Sequence, residues 1–501
     1  MNILTIEFYF SLAVILLIYW IAPSKYRWMI LSAASWYFII TANSKKMIVV
    51  TAGMFFCTWL LALLPVRFQL NNRLKRVCVI ISIVLNACLL IMLKDSHFFV
   101  ALGSHAGLTI PEISIGAPLG ISYFTLSLIG YSLDVYWGAI PPETNPFKFA
   151  LFAGYFPLLL TGPIVRYGET SNEILAPKSF NAAKFSDGCE RILWGLFKKM
   201  VISNRAGIIV DAIYNDTNTY KGLYIWFAML CFVLQLYTDF SGSIDIILGI
   251  SQLFGIKLPE NFDLPFASKS LSEFWRRWHI TLGNWLKDYV LYPLLRSRPF
   301  KNLERKTKRK FGKKLGRKIP NWIALFISWF VVGFWHGGSW NYIIGVGWYM
   351  WAIIVFSDAM TDVFSKLSQI LKINTNTFTW RIFQSVRTTF FYMVGLGMFR
   401  CYGGFHQVLH VYRTALRHST YVPVLTLLQN VGLSSRDISM LFVGIVAISL
   451  SGIITIISKM RAYEWLKTQN YLVRLLINWI MVLLIVFSSN LNMTEFLYMQ
   501  F

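Results

Sequence analysis

Charged residues are scarce in this sequence. They make up 14% of the 501 residues, whereas hydrophobic residues make up 56%. Soluble chains carry about 25% charged residues, so the composition excludes an ordinary water-soluble domain. Among the charged residues, acidic ones are the scarcer kind. The sequence has 23 Asp and Glu but 47 Lys and Arg, which gives a formal net charge of +24. In a membrane protein this excess indicates basic cytoplasmic loops, and we expect no nucleic-acid partner.

The cysteine patterns that hold metals or disulfide frameworks are also missing. The six cysteines are scattered, and none forms a CxxC pair or a Cys/His cluster at metal-ligand spacing. Most of them lie inside apolar runs, where cysteine behaves as a small hydrophobic residue. We therefore expect neither a disulfide framework nor a metal site.

Long apolar runs are abundant and predict transmembrane helices. A bilayer core needs about 20 apolar residues per helix, and continuous rather than alternating runs favour helices over a barrel. The first run has an acidic flank and no small-residue cleavage site, so we expect a retained helix and not a signal peptide. The sequence predicts an all-α polytopic membrane protein with about 11–12 transmembrane helices. The predicted spans lie near 4–22, 27–43, 47–65, 76–94, 119–137, 147–165, 222–240, 320–336, 339–357, 383–400, 438–457 and 472–489.

A basic run over residues 296–318 orients the chain. It holds twelve Lys and Arg and a single acid, Glu304, and the positive-inside rule predicts a cytoplasmic loop. A second basic loop over 67–76 is expected on the same side, which puts the amino terminus outside. Two interpretations of this positive charge stay open. It sets the membrane topology and attracts anionic lipid headgroups, or it binds an acidic cytosolic partner. The docking candidates are Arg305, Lys306, Lys308, Arg309 and Lys310.

His336 interrupts one of the longest apolar stretches, within GFWHGGSW. An ionisable group at membrane depth costs several kcal/mol unless it faces a cavity or a partner. One interpretation is a structural histidine that bonds a neighbouring helix. The other is a neutral imidazole at a solvated tunnel, where glycines admit a substrate.

A tryptophan-rich segment over residues 270–295 contains a second histidine, His279. Apolar residues at helical spacing predict one amphipathic interfacial helix, capped by Ser272 with Glu273 and ended by Pro293. His279 is either an interfacial residue satisfied by water or a functional one. Since it precedes the basic run and His336 follows that run by a span's length, the two histidines can line one path.

Polar residues also follow the apolar run near residue 235. Asp239 either fixes the tautomer of a histidine or caps a helix at the interface. Ser241 and Gly242 predict a helix break whose backbone groups line a cavity, and Asn261 leads into the tryptophan-rich segment. Arg166, near the end of another span, is on its own a snorkelling arginine.

Taken together, these motifs resemble the bacterial membrane-bound O-acyltransferase (MBOAT) superfamily. The resemblance rests on the ordered series TGPIVRY, YTDFSGSIDI, PENFDLPF, SEFWRRWHITLGNWLKDY and GFWHGGSW, and it is dense over residues 115–350. It implies interfacial or re-entrant helices around a central tunnel, with His336 catalytic and His279 a second functional residue. The other residues expected at the tunnel are Asp239, Ser241, Asn261, Trp275, Arg277, Trp278, Trp335 and Gly337. It also implies N-terminal helices over 1–114, a catalytic core over 115–358 and C-terminal helices over 359–501.

Two branches of the superfamily are compatible with the sequence. The alginate O-acetylation type is similar in length and in the motifs FPLLLTGPIVRY and FLYMQF, and it implies acetyl transfer to an extracellular or cell-wall polysaccharide. The D-alanyl transfer type, which modifies teichoic acid, is the alternative. The chain departs from the alginate type after Tyr292, where PLLRSRPFKN stands in place of a glycine-containing PLGG, so the acceptor stays open.

The implied chemistry needs a base and a thioester. A hydroxyl is a weak nucleophile until a positioned base removes its proton, and neutral His336 fits that role, while His279 would polarise the thioester carbonyl or line its entry. No cofactor is expected to be permanently bound. The implied donor is acyl-CoA or the phosphopantetheine thioester of a carrier protein, and the implied partners are membrane lipids and an extracytoplasmic acyltransferase protein in the cell membrane. A transporter with proton-relay histidines and a scaffold without chemistry remain alternatives.

Overall fold

The computed structural model describes residues 3–105, 107–108, 116–488 and 496–497. Within those residues the chain is helical, and an isolated antiparallel bridge joins Phe262 to Trp278. The chain divides into two compact units. Unit 1 comprises Met1–Asn204, Leu236–Pro259 and Met440–Phe501, and unit 2 comprises Arg205–Gln235 and Glu260–Ser439.

The α-helices are numbered here in chain order. The first twelve are α1 Ile6–Ile21, α2 Arg27–Ala42, α3 Lys45–Arg67, α4 Asn72–Lys94, α5 Ser96–His105, α6 Ile121–Tyr136, α7 Pro146–Gly154, α8 Phe156–Thr161, α9 Tyr167–Leu175, α10 Ala182–Phe197, α11 Asn204–Asn215 and α12 Leu223–Leu253. The others are α13 Leu271–Arg277, α14 Ile280–Leu286, α15 Tyr292–Arg296, α16 Arg298–Trp335, α17 Trp340–Tyr342, α18 Tyr349–Ala359, α19 Thr361–Ile370, α20 Phe378–Phe399, α21 Gly404–Ala415, α22 Val424–Asn430, α23 Ser435–Ser458, α24 Ala462–Lys467 and α25 Tyr471–Ser488. π-Helical turns occupy Lys198–Ser203, Lys287–Leu291 and Ile343–Trp348.

Seven of the described helical segments are long and apolar enough to cross a bilayer. They are Lys45–Arg67, Asn72–Lys94, Leu223–Leu253, Arg298–Trp335, Trp340–Ala359, Ser435–Ser458 and Tyr471–Ser488. The chain is therefore a multi-pass, all-α membrane protein, as predicted. Several other predicted spans are shorter or interrupted: the one near 119–137 is the 16-residue helix α6, and the one near 147–165 breaks at Tyr155 into α7 and α8.

Two of these helices present broad apolar faces outward. In the most apolar 18-residue stretch of each helix, only 17% of the residues of α23 and 11% of those of α25 are buried within the chain. A water-soluble protein rarely exposes a continuous apolar surface of this kind, whereas lipid accommodates it. The exposed residues of α25 include Leu472, Leu476, Trp479, Ile480, Leu483, Val486 and Phe487.

In unit 1, glycines bring α10 and the second half of α12 into backbone contact. A Cβ atom on Gly195 would lie 2.5 Å from the carbonyl oxygen of Gly242, and one on Gly188 would lie 2.8 Å from that of Gly249. Small residues at membrane helix interfaces allow such close approach. The predicted helix break at Ser241 and Gly242 is wrong, because α12 continues through both residues and Gly242 serves this packing contact.

In unit 2, the prediction of one helix over residues 270–295 is wrong. The single amphipathic helix expected over 270–295 is interrupted between α13 and α14, where His279 has a left-handed backbone with φ 49°. Its N-cap is Ser270, not Ser272, and Pro293 lies within the first turn of α15 and does not end a helix. The basic run over 296–318 is mostly helical, since α16 begins at Arg298 and is kinked at Gly312, and its cytoplasmic location stays a prediction.

Candidate active site

A short pairing of two segments in unit 2 sets the position of His279. The N–H of Asp263 donates to the carbonyl of Arg277 (2.9 Å), and the N–H of Ile280 donates to the carbonyl of Asn261 (3.1 Å). This pairing holds Trp278 in an extended conformation and interrupts the helix at His279. His279 is buried, with 2% of its surface exposed, and its neighbours Trp278 and Thr281 are buried as well.

The side chain of Asn261 contacts the same turn. Its Oδ1 accepts hydrogen bonds from the backbone N–H of Thr281 (3.0 Å) and from the Thr281 hydroxyl (2.9 Å), and it lies 3.3 Å from Nδ1 of His279. Asn261 itself is fully buried. One side chain thus ties the loop before α13 to the first turn of α14 and to the imidazole.

His336 lies at the end of α16, where two glycines terminate the helix. Its backbone N–H still donates to Val332 (3.2 Å), after which Gly337 and Gly338 take positive φ values of 153° and 55°. A Cβ atom on Gly337 would lie 2.6 Å from the ring of Tyr342, so this position tolerates no side chain without a shift of that ring. The GFWHGGSW motif therefore builds a helix end at which Gly337 packs closely against Tyr342 of α17.

Trp335 brings the two histidines together. Its ring centroid lies 4.9 Å from that of His336 and 6.0 Å from that of His279. The ring of His336 also packs edge-to-face against the ring of Phe399, with centroids 5.6 Å apart. His336 is buried, with 6% of its surface exposed. Burial lowers the pKa of His279 well below 6.5, and protonation of the neighbouring His336 lowers it further. His279 is therefore neutral at pH 7.

Aromatic residues enclose the His279 turn. Trp278 stacks on Phe274 at 5.6 Å and contacts Tyr392 at 5.3 Å, while Trp275 contacts Trp329 at 5.0 Å. Two buried donor atoms here, Nδ2 of Asn261 and Nε1 of Trp275, have no hydrogen-bond partner among the described residues. A buried donor usually has a partner, so these atoms favour a polar ligand at this place. Tyr392 and Phe399 come from α20, outside every motif that the sequence analysis singled out.

Arg277 has a different environment from the two histidines. Its guanidinium pairs with Glu273 one helical turn earlier at 2.8 Å, and both side chains are partly exposed. Its contribution to the turn is its backbone carbonyl, which accepts from Asp263. The geometry favours Arg277 as a positioning residue over a substrate contact.

In unit 1, Asp239 lies inside α12 and forms a buried ion pair. Nζ of Lys199 lies 2.8 Å from Oδ1 of Asp239, and the Ser203 hydroxyl donates to the same oxygen at 3.3 Å. The helix-cap interpretation of Asp239 is wrong, because the residue is sixteen positions past the first residue of α12. Its bond to a histidine stays a prediction.

Ser241 belongs to a neighbouring ion-pair network. It accepts a hydrogen bond from Lys198 (2.9 Å), which also pairs with Asp245 (2.6 Å), and Asp245 pairs with Arg191 (3.0 Å). These cations were not among the predicted site residues. Their signal was the pair of lysines within the apolar run LFKKMVIS.

The candidate docking residues lie on the first part of α16. Arg305, Lys306, Arg309 and Lys310 are exposed, whereas Lys308 pairs with Glu304. They form a basic helical surface in unit 2. Within the described ranges, no group of three His, Cys, Asp or Glu side chains is arranged to hold a metal ion.

Comparison with known proteins finds one matching family model and several curated relatives. Residues 139–306 match the model of MBOAT, the membrane-bound O-acyltransferase family. Over these residues, about a third of its length, the chain is similar to that family. The matched segment contains Asn261 and His279 and ends before His336. The predicted resemblance and the acyltransferase class are thus confirmed.

Curated relatives belong to both branches considered above. A probable alginate O-acetylase of Pseudomonas aeruginosa is 28% identical over 388 residues, 75% of this chain and 70% of the relative. A peptidoglycan O-acetyltransferase of Helicobacter pylori is 29% identical over 62% of this chain and 64% of its own. A teichoic acid D-alanyltransferase of Streptococcus thermophilus is 28% identical over 45% and 53%, respectively. Four other probable alginate O-acetylases are matched over 44–64% of their length.

Proposed function

We propose that this membrane-bound acyltransferase transfers an acetyl group from a cytosolic thioester to a hydroxyl of an extracellular or cell-wall polysaccharide. The observation that carries the proposal is the pair of buried histidines, His336 and His279, in contact with one indole, that of Trp335. Acetyl transfer is supported by the similarity to a probable alginate O-acetylase and to a peptidoglycan O-acetyltransferase. The cell membrane is the corresponding location.

In this proposal His336 is the general base. It takes the proton of the acceptor hydroxyl while the oxygen attacks the thioester carbonyl, and a carbon–oxygen bond forms. The carbon–sulfur bond then breaks, and the proton passes to the departing thiolate, which leaves as a thiol. A base in this role contributes about 10² to 10⁴ in rate, which corresponds to roughly 3–5 kcal/mol of barrier.

The donor arrives from the cytosolic side in the form of acyl-CoA or a phosphopantetheinyl carrier protein. Exposed Arg305, Lys306, Arg309 and Lys310 on α16 support this part of the proposal, because both donors carry phosphate or acidic groups that a basic surface attracts. The positive-inside rule assigns this surface to the cytoplasm. A separate extracytoplasmic protein completes delivery to the polymer.

D-alanyl transfer to teichoic acid is the second candidate. The observation that favours it is the match to teichoic acid D-alanyltransferases of Streptococcus thermophilus and Bacillus subtilis, at 28% and 30% identity. The same base and thioester chemistry applies, with an amino-acyl group in place of acetyl. Ester analysis of cell-surface polymers distinguishes the two, because acetate and D-alanine are separate products of mild alkaline release.

The test replaces His336 with alanine. We expect acyl esters on the polymer to fall at least a hundredfold while the protein still inserts and purifies as the wild type does. The matched control is His406→Ala, a histidine exposed on α21, which should leave acylation unchanged. Unchanged acylation in the His336 variant would instead favour a scaffold. Transport of intact substrate by vesicles without any thioester would favour a transporter.

A further inference from the structure

We propose that Asn261 holds His279 in the tautomer whose proton is on Nδ1, so that Nε2 presents a lone pair toward the site. The inference deepens the proposed function, on which its catalytic meaning rests. It assigns Asn261 as a positioning residue, because Asn261 acts through the imidazole. Three atoms carry the argument: Oδ1 of Asn261, the backbone N–H of Thr281 and Nδ1 of His279.

The orientation of the Asn261 amide is determined by its backbone partner. The N–H of Thr281 can only donate a hydrogen bond, and it lies 3.0 Å from the amide atom in question. That atom must therefore be the acceptor, Oδ1, because the amide NH₂ group has only donors to offer. The Thr281 hydroxyl, at 2.9 Å from the same atom, can donate to it as well. A flipped amide would place two donors against each other at Thr281.

The amide orientation then fixes the imidazole. Oδ1 of Asn261 lies 3.3 Å from Nδ1 of His279, and an amide oxygen cannot donate. Nδ1 must carry the hydrogen for this contact to be attractive. In a neutral imidazole the other nitrogen, Nε2, is then an acceptor.

This assignment changes the role expected for His279. A neutral imidazole with its lone pair on Nε2 cannot donate a hydrogen bond from that atom to a thioester carbonyl oxygen. It can accept a hydrogen bond from the hydroxyl of the polysaccharide, or take the proton of that hydroxyl. His279 is thus a second proton acceptor beside His336 and not a carbonyl-polarising donor.

Burial keeps His279 in the neutral state that this argument requires. The pKa of His279 is lowered well below 6.5, first by burial and then, whenever His336 is protonated, by the positive charge of that neighbour. The charged residues on the paired segments are Glu260, Asp263 and Arg277, of which Asp263 is exposed and Arg277 pairs with Glu273. The left-handed backbone of His279 further restricts the positions open to its ring.

The direct test reads the tautomer without reference to activity. Nitrogen chemical shifts distinguish protonated from lone-pair nitrogens in ¹⁵N-histidine-labelled protein in lipid, and the His279 signals are those lost in a His279→Gln variant. We expect a protonated Nδ1 and a bare Nε2 in the wild type, and a mixture of tautomers in Asn261→Leu. A bare Nδ1 in the wild type would overturn the proposal. This result stands independently of whether His336 proves to be the base.

A pH profile provides the second test and does not depend on the leucine variant folding. In Asn261→Asp a carboxylate still accepts from Thr281 and from Nδ1, but its charge stabilises the imidazolium and raises the pKa of His279. Because activity needs neutral His279, the acid limb of kcat should move to higher pH by about one unit or more. The matched control is Asn284→Asp, exposed on α14, which should leave the profile in place. An unmoved acid limb in an active Asn261→Asp variant would refute the positioning role.

Discussion

The buried pair of Lys199 and Asp239 offers a quantitative test of what stabilises unit 1. The two side chains are 2% and 0% exposed and lie 2.8 Å apart. Lys199→Met removes the cation and leaves a carboxylate that burial makes unfavourable. Removing one partner of a buried ion pair costs about 3–5 kcal/mol, because the remaining charge is uncompensated.

The geometry places the expected cost at the lower end of that range. The Ser203 hydroxyl continues to donate to Oδ1 of Asp239 at 3.3 Å, so one hydrogen bond survives in the variant. We therefore expect Lys199→Met to lower the free energy of unfolding by about 3 kcal/mol. The double variant Lys199→Met/Asp239→Leu should recover most of this loss, since an apolar replacement of a buried pair is often neutral.

The assay is unfolding of the purified protein in dodecyl maltoside by titration with SDS, followed by tryptophan fluorescence. The matched control is Lys314→Met, which breaks an ion pair with Asp362 whose side chains are 73% and 64% exposed. Exposed pairs contribute little, so the control should unfold like the wild type. Equal curves for Lys199→Met and Lys314→Met, or a double variant less stable than the single one, would contradict the assignment of Asp239 to a structural ion pair.

Two further predictions concern the active site and the donor. Gly337→Ala should reduce the yield of folded, active protein, because the added Cβ would lie 2.6 Å from the Tyr342 ring and overpacking of this kind costs about 1–3 kcal/mol. The yield is measured by recovery in size-exclusion chromatography and the activity by the acyl-transfer rate. The control is Gly53→Ala, whose Cβ would meet nothing within 4 Å. Arg305→Glu with Lys306→Glu should lower kcat/KM for the thioester about tenfold at low salt, and the deficit should shrink as ionic strength rises. A deficit independent of salt would argue against electrostatic attraction of the donor.

The sequence was most informative where polar residues interrupt apolar runs. His336 and His279 were selected for this reason, and the structure brings both to Trp335. The helix break at His279 was not predictable from the same pattern, because apolar residues keep helical spacing on both sides of it. The break depends on pairing with Asn261 and Asp263, about sixteen residues earlier, and such tertiary contacts override local propensity.

Asp239 and Gly242 show a similar limit. Each was noticed as a polar or flexible residue next to an apolar helix, but its partner lies some forty residues earlier in the chain, Lys199 for the carboxylate and Gly195 for the glycine. An isolated glycine after an apolar run predicts a break, whereas facing glycines on two helices predict close packing. Only the contact between α10 and α12 decides between these outcomes.

The backbone of His279 has a consequence for laboratory evolution of this enzyme. An L-residue in the left-handed region carries a penalty of about 1–2 kcal/mol that glycine escapes. Selection for heat resistance alone would therefore favour glycine or asparagine at position 279. Such a substitution would relieve the backbone strain but would also remove the imidazole. Variant libraries made to increase thermal stability should therefore be screened for catalytic activity as well as for melting temperature.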